Sequence, residues 1–489
     1  MIAVVAILVT LVVVPVVSAA VGVDSRELRE TVEVDSIIDH LEWLETNGPR
    51  PAADPGYDTA AEYVYELLDV GYDVAYQDFT YDLWEELSVP VLERTLPTFK
   101  AYPAYPADLS VPGFATMEYS EAGDVTAQVV LAGSFGCDPS DFSGADFSGN
   151  IALIERGVCT FATKAINAET AGAAGAIVFN DAARQDTFYG TLGGPVVGIP
   201  VVGSHRDVGL ELAANDTTVH LAVATVMHYG VWTRNVIAET PGGRDDRVVV
   251  VGAHLDTVAE GPGTNDNGSA VATLLEIALQ MDELGIEPRN KVVFAFWSAE
   301  ESGLLGAQYY VDNLTKRERK NIALDLNFDM IASNNYALFV YDGDGSDTPE
   351  TGPGPNGSGN IEDVFLDYFA EQDLVTWATA FDGRSDYGPF IEAGIPAGGL
   401  FTGADGIKTA EQAAIYGGTV GQYYDPYYHT ADDTLANINT HALDVMSDAA
   451  AHAILTFAMT TSSVNGTGKA SDRAIEARDM EYRGPHAQR

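Results

Sequence analysis

Three apolar runs of strand length do most to limit what this chain can fold into: "VVVVGAH" at residues 248–254, "VVFAFW" at 292–297 and "ALDLNF" at 323–328. A short run that is apolar at nearly every position belongs to a strand covered on both faces. Each run then stops abruptly at polar groups. His254 ends the first and Asp256 follows it, Glu300 and Glu301 follow the second, and Asp329 the third. Around them, "DSIIDHLEWL" from Asp35 and "YDTAAEYVYELLDVGYDV" from Tyr57 carry apolar residues at helical spacing. Strands and helices alternating in this way predict an α/β domain, and open α/β sheets bind ligands at the carboxyl ends of their strands.

That texture covers residues 35–100 and 233–461 and is interrupted by 101–232, which reads as an inserted unit of short strands with a small-residue helix, "KAINAETAGAAGAIVFND". Residues 462–489 read as a disordered tail. Residues 1–20 form an apolar segment ending in small residues, which predicts a signal peptide or, if retained, a membrane anchor. The expected location is therefore secreted. In an exported chain the only two cysteines, Cys137 and Cys159, predict one disulfide and rule out a cysteine metal cluster.

Charge narrows the partners. The chain has 72 acidic and 25 basic residues, a formal net charge of −47, spread along its whole length. Nucleic acid and anionic membrane are thereby excluded. Self-repulsion of this size is tolerable where salt screens it, and the composition resembles that of salt-in halophilic proteins.

A single histidine or acid at a strand end is ordinarily solvated; four such coincidences are not. His254, Asp266, Glu301, Asp329 and His429 provide the nitrogen and oxygen donors that a pair of zinc ions prefers, with one carboxylate shared between them and Glu300 left over as a general base. The nearby "GPGTNDNG" fails as a nucleotide loop, because Asp266 stands where its third glycine belongs.

These motifs resemble those of the exported di-zinc aminopeptidases, and the inserted unit resembles the protease-associated (PA) domain that some of them carry. The resemblance rests on "HLD" at 254–256, Asp266 twelve residues after His254, the Glu300–Glu301 pair, Asp329 and "YYHT" at 427–430. It implies a three-layer domain with a mixed central sheet, and cleavage of the first peptide bond of peptides with a free N-terminus by a monomeric enzyme. His254 and Asp329 would hold one zinc, Glu301 and His429 the other, and Asp266 would bridge them. Asp256 would fix the His254 tautomer, Glu300 would take the proton of the attacking water, and Tyr428 would stand by the carbonyl. "GRSDYGPF" and "GGLFTGA" would place Gly383, Arg384 and Phe401 against the substrate.

Three features depart from the family pattern. The commoner Ser-Asp-His is Ser385-Asp386-Tyr387; Tyr427 and Asp432 occupy the positions of a disulfide found around the last histidine in bacterial relatives; and an acidic insertion, residues 341–360, follows Asp329 and reads as a solvated loop. Asp444 and Asp448, four apart on one helical face, read either as solvated acids or, with Asp35, as a structural calcium site. A carboxypeptidase or dipeptidase of the same fold is the second reading, for which Arg384 is the one obvious grip on a free carboxylate.

Overall fold

Residues 23–105, 110–183, 185–213, 216–349 and 351–468 are described by the structure, a computed structural model. The segment 1–20 lies outside the described residues. The three apolar runs are parallel neighbours: Arg244–His254 lies between Asn290–Trp297 and Ile322–Phe328. Their side chains alternate between two cores. Val249 and Val251 face a layer containing Ile37, Leu41, Val64, Leu275 and Ala450, whereas Val250 packs with Val293, Ala307, Val311 and Phe390 on the other side. Each of these valines is fully buried, worth about 1.5–3 kcal/mol relative to exposure, so a polar residue is disfavoured at every position of the run.

Helices Val34–Thr46, Pro55–Leu68, Ala270–Glu283 and Thr440–Met459 form one layer, and Leu305–Asn313 and Tyr387–Glu392 contribute to the opposite one. The sheet continues through Ala397–Phe401, parallel to Ile322–Phe328, to the antiparallel Phe339–Tyr341, so it is mixed. Trp297 pairs with His254 and Phe328 with Leu400, which aligns the strand ends along one edge.

The second unit has parallel strands Gly123–Leu131, Ile151–Glu155, Gly175–Phe179 and Val201–Ser204, with helices Phe161–Thr170 and Arg206–Leu212 and two cores of its own. Cys137 and Cys159 are disulfide-bonded within it. Two long antiparallel strands, Asp73–Leu96 and Thr218–Glu239, join the units; the second pairs with Gly123–Leu131 near its start and with Asn290–Trp297 near its end. Position 232/233 therefore falls inside a continuous strand, and the units share a ribbon where a linker would otherwise run.

Two expectations change here. Residues 462–465, expected to open the disordered tail, form a short helix in which Val464 packs on the core and Asn465 donates to the Ala323 carbonyl. The remainder of that tail from 469 lies outside the described residues. Asp35, Asp444 and Asp448 do not form a group of acids within ligating distance of one another. Asp448 pairs with Arg29 at 3.4 Å, and the Tyr368 hydroxyl bonds the same oxygen. A guanidinium thus supplies the positive charge that tethers the first helix, Arg26–Thr31, to the last long one.

Candidate metal centre

His254 ends its strand with its ring nitrogens assigned by geometry. Nδ1 donates to the backbone carbonyl of Asp256 at 3.0 Å, which turns Nε2 towards Asp266 Oδ1 at 3.2 Å and Asp329 Oδ1 at 3.5 Å. This corrects the role expected for the Asp256 carboxylate. It stands 3.9 Å from Nδ1 and accepts the backbone N–H groups of Glu300 and Glu301, at 3.1 and 3.2 Å. Asp256 fixes the tautomer with its main chain and the glutamate pair with its side chain. Burial lifts its carboxyl to about 7.

Asp266 sits in a tight turn at the start of a helix, and the turn is held from several sides. Asp433 accepts the N–H groups of Asn265 and Asp266, at 2.7 and 3.0 Å. The fully buried Arg50 donates to the carbonyls of Leu255, Pro262 and Gly263. Gly263 has φ +61° and a Cβ there would meet the Asp266 carbonyl at 2.3 Å, so only glycine fits. Asp329 is oriented by the Ser385 hydroxyl, which donates to Oδ2 at 2.6 Å and itself accepts from Asn327. Its Oδ1 is left facing His254.

His429, its ring stacked on Tyr428 with centroids 3.8 Å apart, directs Nε2 at Asp266 Oδ2 (3.0 Å) and Glu301 Oε2 (3.1 Å). Asp425 and Asp433 hold the loop that carries His429. Asp425 accepts from Tyr427 N and from the Asn265 side chain, which ties the last-histidine loop to the Asp266 turn.

Two triads result, His254–Asp266–Asp329 and Asp266–Glu301–His429, with Asp266 in both. Ligand atoms around a tetrahedral zinc with bonds of about 2.0–2.1 Å lie roughly 3.3–3.4 Å apart, close to the separations seen here. The buried atoms Glu301 Oε1 and Asp329 Oδ1 have no hydrogen-bond partner among the described residues. Orphaned carboxylate oxygens beside two imidazoles fit a cation. Electrostatics agree. Burial, then the neighbouring acids Glu301, Asp386 and Asp329, push Glu300 well above the carboxylate range. Burial would lower His429, but Glu301 and Asp266 beside it raise it to about 10.

The cleft over this centre is lined by Glu300, Met330, Tyr341, Thr379, Arg384, Phe401 and Tyr428. Arg384 bonds Asp405 at 2.9 Å and reaches the Tyr428 hydroxyl at 3.5 Å. Gly383, expected against the substrate, does not line the cleft. Its N–H, with those of Asp382 and Arg384, is given to the Tyr387 hydroxyl, which in turn donates to Asp382. Tyr387 thereby organises the loop from behind.

The model of Peptidase family M28 matches residues 235–454 and that of the PA domain residues 125–212. An aminopeptidase of Pseudomonas aeruginosa is 41% identical over 93% of this chain and 86% of its own length. The chain belongs to peptidase family M28. A probable leucine aminopeptidase 2 of Aspergillus oryzae is 38% identical over 95% of this chain and 92% of its own. Among solved structures, an aminopeptidase from Aneurinibacillus sp. strain AM-1 superposes with a TM-score of 0.72 at 26% identity, covering 94% of this chain and all of that one. BSAP, a zinc aminopeptidase from Bacillus subtilis, gives 0.63 at 26% identity, covering 90% and 98%. All five residues expected to bind metal in this M28 chain converge, together with Glu300. Arg50, Asp433 and Asp425 are not among the residues that the sequence assigns to the site. Nothing in their local sequence distinguishes them from other polar loop residues, since they act across the fold.

Proposed function

We propose that this M28 peptidase is an exported zinc aminopeptidase that releases the first residue of peptides with a free N-terminus. The observation that carries the reading is the pair of triads sharing Asp266, in a chain whose relatives are named aminopeptidases. His254 and Asp329 would hold one ion, Glu301 and His429 a second, and Asp266 would serve both. When bound, zinc lowers the pKa of a water and polarises the scissile carbonyl. The chain's own groups do the rest. Glu300, with Oε2 4.0 Å from His254 Nε2, accepts the proton of that water and returns it to the departing amine. The Tyr428 hydroxyl, in the same cleft, donates to the developing oxyanion. Met330, Tyr341 and Phe401 receive an apolar first side chain, and the acidic wall attracts the free α-ammonium. A carboxypeptidase reading is weakened because Arg384 is already paired with Asp405.

The test is Glu300→Gln. Zinc content stays at the parent level while turnover of leucyl peptides falls at least a hundredfold, since a proton acceptor is lost without a ligand. Near-normal turnover would refute the assignment of Glu300. Parent enzyme cleaves unblocked leucyl peptides and leaves N-acetylated ones intact. The segment 1–20 makes the enzyme secreted if cleaved, or anchored if kept. With a net charge of −47, activity requires high salt. Full activity after dialysis to about 10 mM salt, where the Debye length is about 30 Å, would refute that requirement.

A further inference from the structure

The turn that carries Glu300 is a costly piece of backbone. Ala299 and Leu304 have φ of +57° and +61°, and Gly303 +118°, so two non-glycine residues occupy the left-handed region within six positions. Such a turn persists only where its surroundings over-determine it. From inside the peptidase unit, Asp256 takes the N–H groups of Glu300 and Glu301. From outside, the phenol of Tyr119 donates to the carbonyl of Ser302 at 3.3 Å.

Tyr119 belongs to the other unit. The strand just before it, Phe114–Thr116, pairs with Val201–Ser204. Tyr119 is itself held with φ +62° in a turn fixed from both ends. Met117 N–H bonds the Val201 carbonyl, Glu118 N–H the Gly190 carbonyl, and Ser120 Oγ accepts from Val201 N. The Ser120 carbonyl accepts from Trp84 Nε1 and Thr225 Oγ1 on the two long shared strands, both at 2.9 Å. A rigid turn of the accessory unit thus presses one hydroxyl onto the catalytic turn.

We propose that Tyr119 is a positioning residue: through the Ser302 carbonyl the PA unit holds the Glu300–Glu301 turn in its working geometry. This rests on Glu300 being the base. Placement errors of about 1 Å near reacting atoms cost on the order of a hundredfold in rate. Loss of one of several restraints on the turn is therefore expected to lower kcat between about 3- and 30-fold.

The experiment is steady-state kinetics of zinc-loaded, full-chain Tyr119→Phe, which keeps the ring and removes the donor. Tyr105→Phe, a hydroxyl of the same unit bonded to Glu86, is the control. The expected result is a lower kcat with KM within twofold, unchanged zinc content, an unchanged melting temperature, and parent kcat in the control. A phosphonic-acid mimic of the tetrahedral intermediate should weaken in step with kcat. In a Glu300→Gln background the same substitution should produce no further loss of the residual rate, because the group being positioned is gone. An unchanged kcat, a change confined to KM, a loss of zinc, or full additivity with Glu300→Gln overturns the role of Tyr119. High activity of Glu300→Gln alone overturns instead the reading beneath it.

Discussion

Among the described residues, acids come within ligating distance of one another in two places, and the two are built on opposite principles. At the catalytic edge, Asp266, Glu301 and Asp329 converge with two histidines, and the buried Glu301 Oε1 and Asp329 Oδ1 have no hydrogen-bond partner among the described residues. At the acidic insertion, Asp342 and Asp344 approach Glu362 of the helix Ser358–Glu371 that follows, but amides already use their oxygens. Asp342 accepts from the backbone of Ser346, Asp347 and Thr348, and Glu362 from Gly343 and Asp344. The first group keeps lone pairs free for a cation. In the second, the carboxylates of Asp342 and Glu362 serve as acceptors for the turn's own amides. Proximity of carboxylates says little; what their lone pairs are doing separates a metal centre from a turn.

The largest expected effect separates the two directly. His429→Ala reduces bound zinc and brings activity to background, as metal analysis and peptide hydrolysis will read, whereas Asp342→Asn retains both. Zinc retained at the parent level in His429→Ala would break the distinction from the catalytic side.

Next in size is stability. Asp342→Asn puts an NH2 group in place of one of the two oxygens that accept the part-buried amides of Ser346, Asp347 and Thr348, at about 1 kcal/mol, and lowers the melting temperature by a few degrees. Calcium, varied at fixed ionic strength with zinc saturating, leaves the melting temperature of the parent unchanged. Asp342 and Glu362 already accept backbone amides, and Asp448 faces Arg29. A calcium-dependent rise abolished by Asp342→Asn would convert the loop into a second metal site.

The smallest effect is a pH dependence. Burial lifts the Glu362 carboxyl from its ordinary 4.5 to about 7, with Asp342 and Asp344 adding to the shift. An acid whose folded pKa is raised binds its proton more tightly when folded, so it penalises the folded state once pH exceeds its unfolded value. The penalty grows through that window and is complete above about 7. Glu362→Gln is therefore relatively more stable than the parent at pH 8 than at pH 4. Thermal unfolding curves that differ by the same amount at both pH values would remove this account.

The legibility of the residues proposed for the site has a plain physical origin. His254, Glu300, Glu301 and Asp329 each end or follow a strand buried on both faces, so a charged group there interrupts an otherwise apolar pattern. Asp266 and His429 stood out by spacing and by an aromatic, acidic context. What each carboxylate does was less legible. Asp256 was expected on the His254 ring and bonds two amides instead, because a two-residue separation at a strand end presents the nearer carbonyl to the imidazole. Gly383 was expected at the substrate and backs the cleft, because the Tyr387 hydroxyl gathers its N–H.

Periodicity and composition by themselves determined that there would be a doubly covered sheet, an inserted unit, one cysteine pair and a set of donors at strand ends. These follow from burial, which is written locally residue by residue. Only the tertiary structure decided that Arg50 and Asp433 clamp the Asp266 turn, that Arg29 neutralises Asp448, and that a tyrosine of the accessory unit reaches Ser302. Those contacts join residues far apart in the chain, and hydrogen bonds of that kind depend on direction and on distances of about 3 Å that no local pattern encodes.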